Sequence, residues 1–196
     1  MALALFDFDG TISFRDSFAG FIKYVVGTAR FYLGVVCLMP VVLGFLLGFI
    51  GASRAKEIMA ILYFRGRHAA EIERLGSKYA IEELPKIVRK IALERIAWHK
   101  EKGDTVVVVT GSMDIWLRDW CAAQAVELIA TGLEVRDGRI TGRFSTKNCT
   151  GREKVRRIKE RYDIEKFDYI YAYGDNPADR AMLAIADEGY YRWNRV

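Results

Sequence analysis

Cysteine is scarce, with three residues at positions 37, 121 and 149 in a chain of 196. Thiols so few and so scattered exclude a disulfide framework and a thiolate zinc site, and they fit a reducing, cytoplasmic setting. Two histidines, His68 and His99, leave little for a mechanism built on a histidine dyad or on a serine positioned by histidine. No repeat and no low-complexity linker divides the chain. The opening Met1-Ala-Leu-Ala-Leu-Phe has no basic residue and meets Asp7 at once, so it does not read as a signal peptide. The 28% of charged residues exclude a polytopic membrane protein, and the 52% of apolar ones exclude a disordered chain. The net charge of +5 favours an anionic partner without naming one.

Two separated stretches read as halves of one parallel α/β core, because their apolar runs are short, rich in β-formers and followed by turn residues. Strands are expected at 2–6, at the four valines of 105–109, at 126–130, at 169–173 and at 189–193. Helices are expected at about 113–124, 151–161 and 177–184, the last opened by Pro177. Asp137-Gly138 marks a tight hairpin, since both residues tolerate positive φ. Residues 13–103 read as almost wholly helical and interrupt a core made of 1–12 and 104–196. Inserted just after the first strand, they would stand as a lid over the carboxyl ends of the strands, where open α/β sheets bind ligands.

Three strand ends carry chemistry. The first ends in Asp7-Phe8-Asp9-Gly10-Thr11, where two carboxylates two residues apart can face one site, although Asp-Gly also serves simple turns. The second ends in Thr110-Gly111-Ser112, donors suited to phosphate oxygens, unless Ser112 only caps the next helix. A third ends in Gly174-Asp175-Asn176-Pro177-Ala178-Asp179, acidic again.

In this order the motifs closely resemble the haloacid dehalogenase superfamily, with DxDGT at Asp7, Asp9, Gly10 and Thr11, a hydroxyl at Thr110, a lysine at Lys154 and acids at Asp175 and Asp179. The insertion point and Asn148-Cys149-Thr150-Gly151-Arg152-Glu153-Lys154 look like the phosphoserine-phosphatase-like branch. The resemblance implies a Rossmann-like sheet with a helical cap after the first strand. It also implies magnesium held by the side chains of Asp7 and Asp175 and the backbone carbonyl of Asp9, with Asp179 in support. Asp7 would be the nucleophile, Asp9 the acid and base, Lys154 a fixed positive charge, and Thr110, Gly111 and Ser112 the phosphate cradle. Because a halide leaving group needs no proton, a second aspartate argues for phosphate.

Lys154 has rivals in Lys147, Arg152, Arg156, Arg157 and Lys159, and only the family pattern singles it out. Phosphoserine phosphatases carry asparagine where this chain has Ala178, which puts phosphoserine itself in doubt as the substrate. Asp16 stands where those enzymes place an acid that holds substrate, but Asp16 or Ser17 also suits the cap of a first lid helix.

Phe31 to Ser53 contains no charged residue, a length that could span a bilayer. A single crossing would nevertheless strand Asp7 and Asp175 on opposite sides of a membrane. The run is therefore expected to form a re-entrant or interfacial hairpin broken near Pro40, or to pack in a lid or a homodimer. Across 13–70 the bases Arg15, Lys23, Arg30, Arg54, Lys56, Arg65 and Arg67 outnumber the acids Asp16 and Glu57, which favours anionic lipid. A greasy, basic lid of this kind, with Tyr190-Tyr191-Arg192-Trp193, also resembles phosphatidylglycerophosphatase C-type hydrolases.

The sequence thus points to a magnesium-dependent phosphomonoester hydrolase, peripheral at the inner face of the membrane and acting on a lipid phosphate such as phosphatidylglycerophosphate. The alternatives are a soluble phosphatase for a phosphoserine-like substrate and a membrane-surface binding protein without turnover. Nucleic acid is not an expected partner, because the basic excess lies beside grease rather than among stacking aromatics.

Overall fold

Alternation along the strands creates two apolar faces, and the helices follow from that. In the computed structural model, which describes residues 1–196, β1 (Ala2–Phe6) is buried over its whole length. Ala4 and Phe6 share one hydrophobic cluster with Val106 and Val108, while Leu3 and Leu5 share another with Val107 and Val109. A strand buried on both sides needs a helix layer on each, and the chain supplies both.

The sheet contains β1, β2 (Thr105–Met113), β3 (Glu127–Thr131), β6 (Tyr169–Gly174), β7 (Glu188–Tyr191) and β8 (Asn194–Arg195), in the order β3-β2-β1-β6-β7-β8. All pairs are parallel except β7 with the short edge strand β8. The expected Rossmann-like α/β fold is therefore present. β1 pairs with β2 through Leu3 and Thr105 and with β6 through Leu3 and Ile170, so three carboxyl ends lie side by side at the centre of the sheet.

Six helices lie between β1 and β2: α1 (Ser17–Val26), α2 (Thr28–Cys37), α3 (Met39–Leu46), α4 (Ala52–Phe64), α5 (Ala69–Glu82) and α6 (Lys90–Glu101). The last of these lies against the sheet rather than above it. His99 of α6 is buried, with Nδ1 2.9 Å from Asp104 and Nε2 2.9 Å from the hydroxyl of Tyr173 on β6. Asp104 in turn accepts the backbone N–H of Ala2 at 2.9 Å, fastening the start of β1. The insertion expected over 13–103 therefore includes one helix that serves the core.

Beyond β2 come α7 (Asp114–Ala123), the hairpin of β4 (Leu133–Arg136) and β5 (Arg139–Phe144), α8 (Arg152–Arg161) and the one-turn α9 (Arg180–Leu183). Asp137 and Gly138 both have positive φ, +47° and +71°, as the hairpin turn requires. β5 is held to the cap by backbone hydrogen bonds from Gly66 to Ile140 (2.8 Å) and from Ile140 to Arg67 (2.9 Å). Gly142 takes φ +83° against the backbone of Ile61 on α4, an approach too close for any side chain.

Two expectations shift. β2 runs on to Met113 instead of ending before Thr110-Gly111-Ser112, because its pairing with β3 slips after Val109 and resumes at Met113 and Thr131. Ser112 therefore caps no helix: the residue before α7 is Met113, whose side chain makes no capping bond. Pro177 opens a 3₁₀ turn at Pro177–Asp179 rather than a helix of two turns.

The apolar run forms α2 and α3, broken at Leu38 with Pro40 in the first turn of α3. No single helix is long and apolar enough to cross a membrane. α3 has no buried residue, and Leu33, Val36, Leu43, Leu46, Leu47 and Phe49 are exposed, Phe49 at 84%.

Candidate active site

The central place of β1 brings the sequence motifs together. A cavity of about 300 Å³ is lined by Asp7, Asp9, Asp16, Thr110, Gly111, Ser112, Lys154 and Asp179, together with Lys56 and Asn148. Every residue expected in the site lies on its wall except Asp175, which stands beside it: the ligand oxygens of Asp7, Asp175 and Asp179 lie within 4.8 Å of one another.

Lys154 is the one base of its cluster that enters. It is 2% exposed, and its Nζ donates to Asp7 Oδ1 at 2.5 Å and to Asp179 Oδ1 at 2.7 Å. Two of its rivals are otherwise engaged: Arg156 pairs with Glu153 and Glu160, and Arg157 donates to the carbonyl of Ala130 at 2.6 Å. Amphipathic spacing on α8 explains the choice, since Lys154 and Ile158, four residues apart, are the two buried positions of that helix.

Asp179 is wholly buried, and its second oxygen accepts the backbone N–H groups of Asp175 (3.0 Å) and Asn176 (3.2 Å). It thereby shapes the loop that presents Asp175. Thr11 donates to Asp175 Oδ1 at 3.3 Å. Gly10, at φ +89°, leaves room that a Cβ would take from the Asp175 carboxylate.

Asp9 faces the cap. One oxygen accepts the backbone N–H of Ser17 at 2.7 Å, and the other accepts the hydroxyl of Ser112 in a short bond. Asp16 does cap α1, accepting the N–H of Ala19 at 2.7 Å, yet it also lines the cavity, so both readings of it hold. Thr110 Oγ1 accepts the N–H of Ser112 at 3.1 Å.

Burial governs the electrostatics. It raises the Asp7 carboxyl to about 7 despite the opposing pull of Lys154, with Asp179 adding to the rise. Asp9 is likewise raised by burial first and by the charge of Asp16 second, against Lys56. Burial also raises Asp175. Burial works to lower Lys154, but Asp7 and Asp179 outweigh it and hold the lysine well above the usual range, fully charged. Three carboxylates face one buried ammonium, an excess of negative oxygen ligands that suits a hard divalent cation. The donor set therefore fits magnesium at Asp7 and Asp175.

Sequence reasoning missed several neighbours. Lys56 was counted only as a basic flank of the apolar run, yet its Nζ reaches the carbonyl of Gly111 at 2.9 Å. The available signal was its place among Ala52, Ala55 and Met59, a lone cation on the apolar face of α4. Ser17 Oγ accepts Trp116 Nε1 at 3.0 Å, and Asn148 Nδ2 donates to Ser53 at 2.8 Å, ties across long sequence distances that no local pattern announces.

A family model described as haloacid dehalogenase-like hydrolase matches residues 4–184. Protein CicA of Caulobacter vibrioides is 33% identical over 193 residues, covering 97% of this chain and 85% of that protein. A Bordetella pertussis Tohama I protein of unknown function superposes with a TM-score of 0.83 at 24% identity, over 97% of this chain and 89% of that one. A phospho-aspartyl intermediate analogue of phosphoserine phosphatase superposes with a TM-score of 0.69 at 20% identity, over 96% and 85% of the two chains.

A carboxyl raised to about 7 stabilises the fold while protonated, and that contribution fades as pH climbs from the unfolded value near 4 through 7. In chelator the melting temperature should fall between pH 5.5 and 7.5, and added magnesium should raise it more at pH 7.5 than at 5.5. Asp7→Asn should lose most of that pH difference. A magnesium effect equal at both pH values would contradict the assignment of Asp7.

Proposed function

Because the chain belongs to the haloacid dehalogenase-like hydrolase family, we propose that it is a magnesium-dependent phosphomonoester hydrolase with Asp7 as nucleophile and Asp9 as acid and base. The observation that carries this reading is buried Lys154 on Asp7, in a cavity that also holds Asp9 and Thr110. Asp7, Asp175 and the carbonyl of Asp9, with Asp179 in support, would hold magnesium, whose charge would offset that of the phosphate dianion.

A carboxylate oxygen of Asp7 attacks phosphorus, and the bond to the leaving oxygen breaks. Asp9 gives its proton to that oxygen, which its raised affinity for the proton favours. Water then attacks the phosphorus of the aspartyl phosphate, Asp9 takes the proton back, and inorganic phosphate leaves with Asp7 restored. Lys154 keeps its charge throughout, and the Thr110 hydroxyl, its oxygen held by the Ser112 N–H, donates with the N–H of Gly111 to the transferring oxygens.

The substrate we favour is a lipid phosphate such as phosphatidylglycerophosphate, taken at an anionic membrane surface. Supporting this are the exposed apolar side chains of α2, α3 and the turn after them, bounded by Arg30 and Arg54. Exposed apolar side chains in such number mark a surface meant for contact, and each base near anionic lipid adds about 1 kcal/mol of attraction.

Two experiments test these statements. Asp9→Asn should lower kcat/KM, which reports the phosphoryl-transfer step alone, about 10²- to 10⁴-fold for an alkyl phosphate and much less for 4-nitrophenyl phosphate, whose leaving group needs little protonation. Equal losses on both would remove Asp9 from the acid role. In sedimentation with vesicles, the protein should bind phosphatidylglycerol-rich ones, and should hydrolyse phosphatidylglycerophosphate faster than phosphoserine. A protein indifferent to vesicles that prefers phosphoserine would overturn the lipid reading.

A further inference from the structure

A second cavity adjoins the active site, and its chemistry is the opposite of the first. It occupies about 350 Å³ between α1, α3 and α4, with Phe18, Leu38, Val42, Phe45, Ala55 and Met59 among the side chains on its walls. It shares Asp16, Ala52 and Lys56 with the catalytic cavity, so the two meet at those residues. At the junction the Lys56 ammonium lies 5.1 Å from the centre of the Phe18 ring while donating to the carbonyl of Gly111.

The groove is closed at one side and open at the other. Phe18 and Leu38 are buried, whereas Val42 and Phe45 are partly exposed, on the same helix as the exposed Leu43 and Leu46. The apolar cavity thus lies between the phosphate cavity, with which it shares Asp16, Ala52 and Lys56, and the unburied apolar face of the cap. Apart from Asp16 and Lys56 at the junction, its walls offer almost nothing to a polar ligand, which would lose its hydrogen bonds to water there. A hydrocarbon chain loses nothing and gains burial. The complement of the joined cavities is an anionic head beside Lys154 and Lys56 with an apolar tail.

We propose that the groove between α1, α3 and α4 holds the hydrocarbon chain of the phosphomonoester, so that the cap selects substrates by their tails. This rests on the phosphomonoesterase reading. It gives the apolar run of 31–53 a second task besides contact with a lipid surface: α3 forms one wall of the tail site, and a chain enters along that helix without crossing water.

The test uses n-alkyl phosphates from butyl to decyl, each below its micelle-forming concentration, with magnesium and no lipid. Full burial of a methylene is worth about 0.8 kcal/mol, roughly fourfold, so a half-open groove should raise kcat/KM about two- to fourfold per methylene. Val42→Trp, from the open wall, and Ala55→Phe, from α4, should each cut the decyl-to-butyl ratio of kcat/KM at least tenfold. Melting curves check that both variants fold. Rates independent of chain length, or a ratio unchanged in both folded variants, would overturn the tail site. If no alkyl phosphate is hydrolysed, the phosphatase reading fails instead, and calorimetry with butyl- and decylphosphonate still decides the groove. Tighter binding of the decyl compound that is lost in the variants upholds it, and equal binding of both compounds refutes it.

Discussion

One buried cation organises the catalytic end of the molecule. Lys154 reaches from α8 to touch Asp7 at the end of β1 and Asp179 beyond β6, tying three separate pieces of chain at one point. Desolvating an ammonium costs several kcal/mol, which is recovered only with close partners, and removal of one partner from a buried pair commonly costs about 3–5 kcal/mol. The pairing is useful because it is incomplete. Burial raises the Asp7 carboxyl, and a single positive charge among Asp7, Asp175 and Asp179 leaves the carboxylates under-neutralised, which explains the fit to a divalent cation.

Topology makes that meeting possible. With β1 between β2 and β6, all parallel, the chain's first, second and last acidic or hydroxyl motifs end on neighbouring strands although some 170 residues separate Asp7 from Asp179. The cap is then anchored on three sides: by Ser17 to Asp9, by Lys56 to Gly111, and by the hairpin bonds between Gly66, Arg67 and Ile140. Asp9 thereby belongs to both layers. A cap displaced from the core would take the Ser17 hydrogen bond away from the acid and leave only the Ser112 hydroxyl to position it.

Much of this was legible in the sequence because it rests on local rules. Short β-rich apolar runs gave the parallel core and the Asp137-Gly138 turn the hairpin, while the order of motifs and the family resemblance pointed to Asp7, Asp9, Thr110, Lys154 and Asp175. Long-range contacts were not legible. β2 continues past its expected end by resuming its pairing with β3 at Met113 and Thr131, Ser112 on that extension meets Asp9, α6 joins the core through His99 and Tyr173, and Lys56 enters the site through the packing of α4. None of these is encoded within one turn or one strand. The apolar run 31–53 was correctly read as interrupted, but the groove behind α3 depends on how three helices leave a gap, and no periodicity announces a gap.

The account stands or falls on a covalent bond to Asp7. Asp9→Asn should slow hydrolysis of the intermediate more than its formation with an aryl phosphate, so mixing it rapidly with 4-nitrophenyl phosphate and magnesium should release a burst of about one nitrophenol per chain. Acid quench and peptide mapping should then find the phosphoryl group on Asp7. Steady turnover with no burst and no labelled peptide, or a phosphoryl group on any other residue, would contradict it.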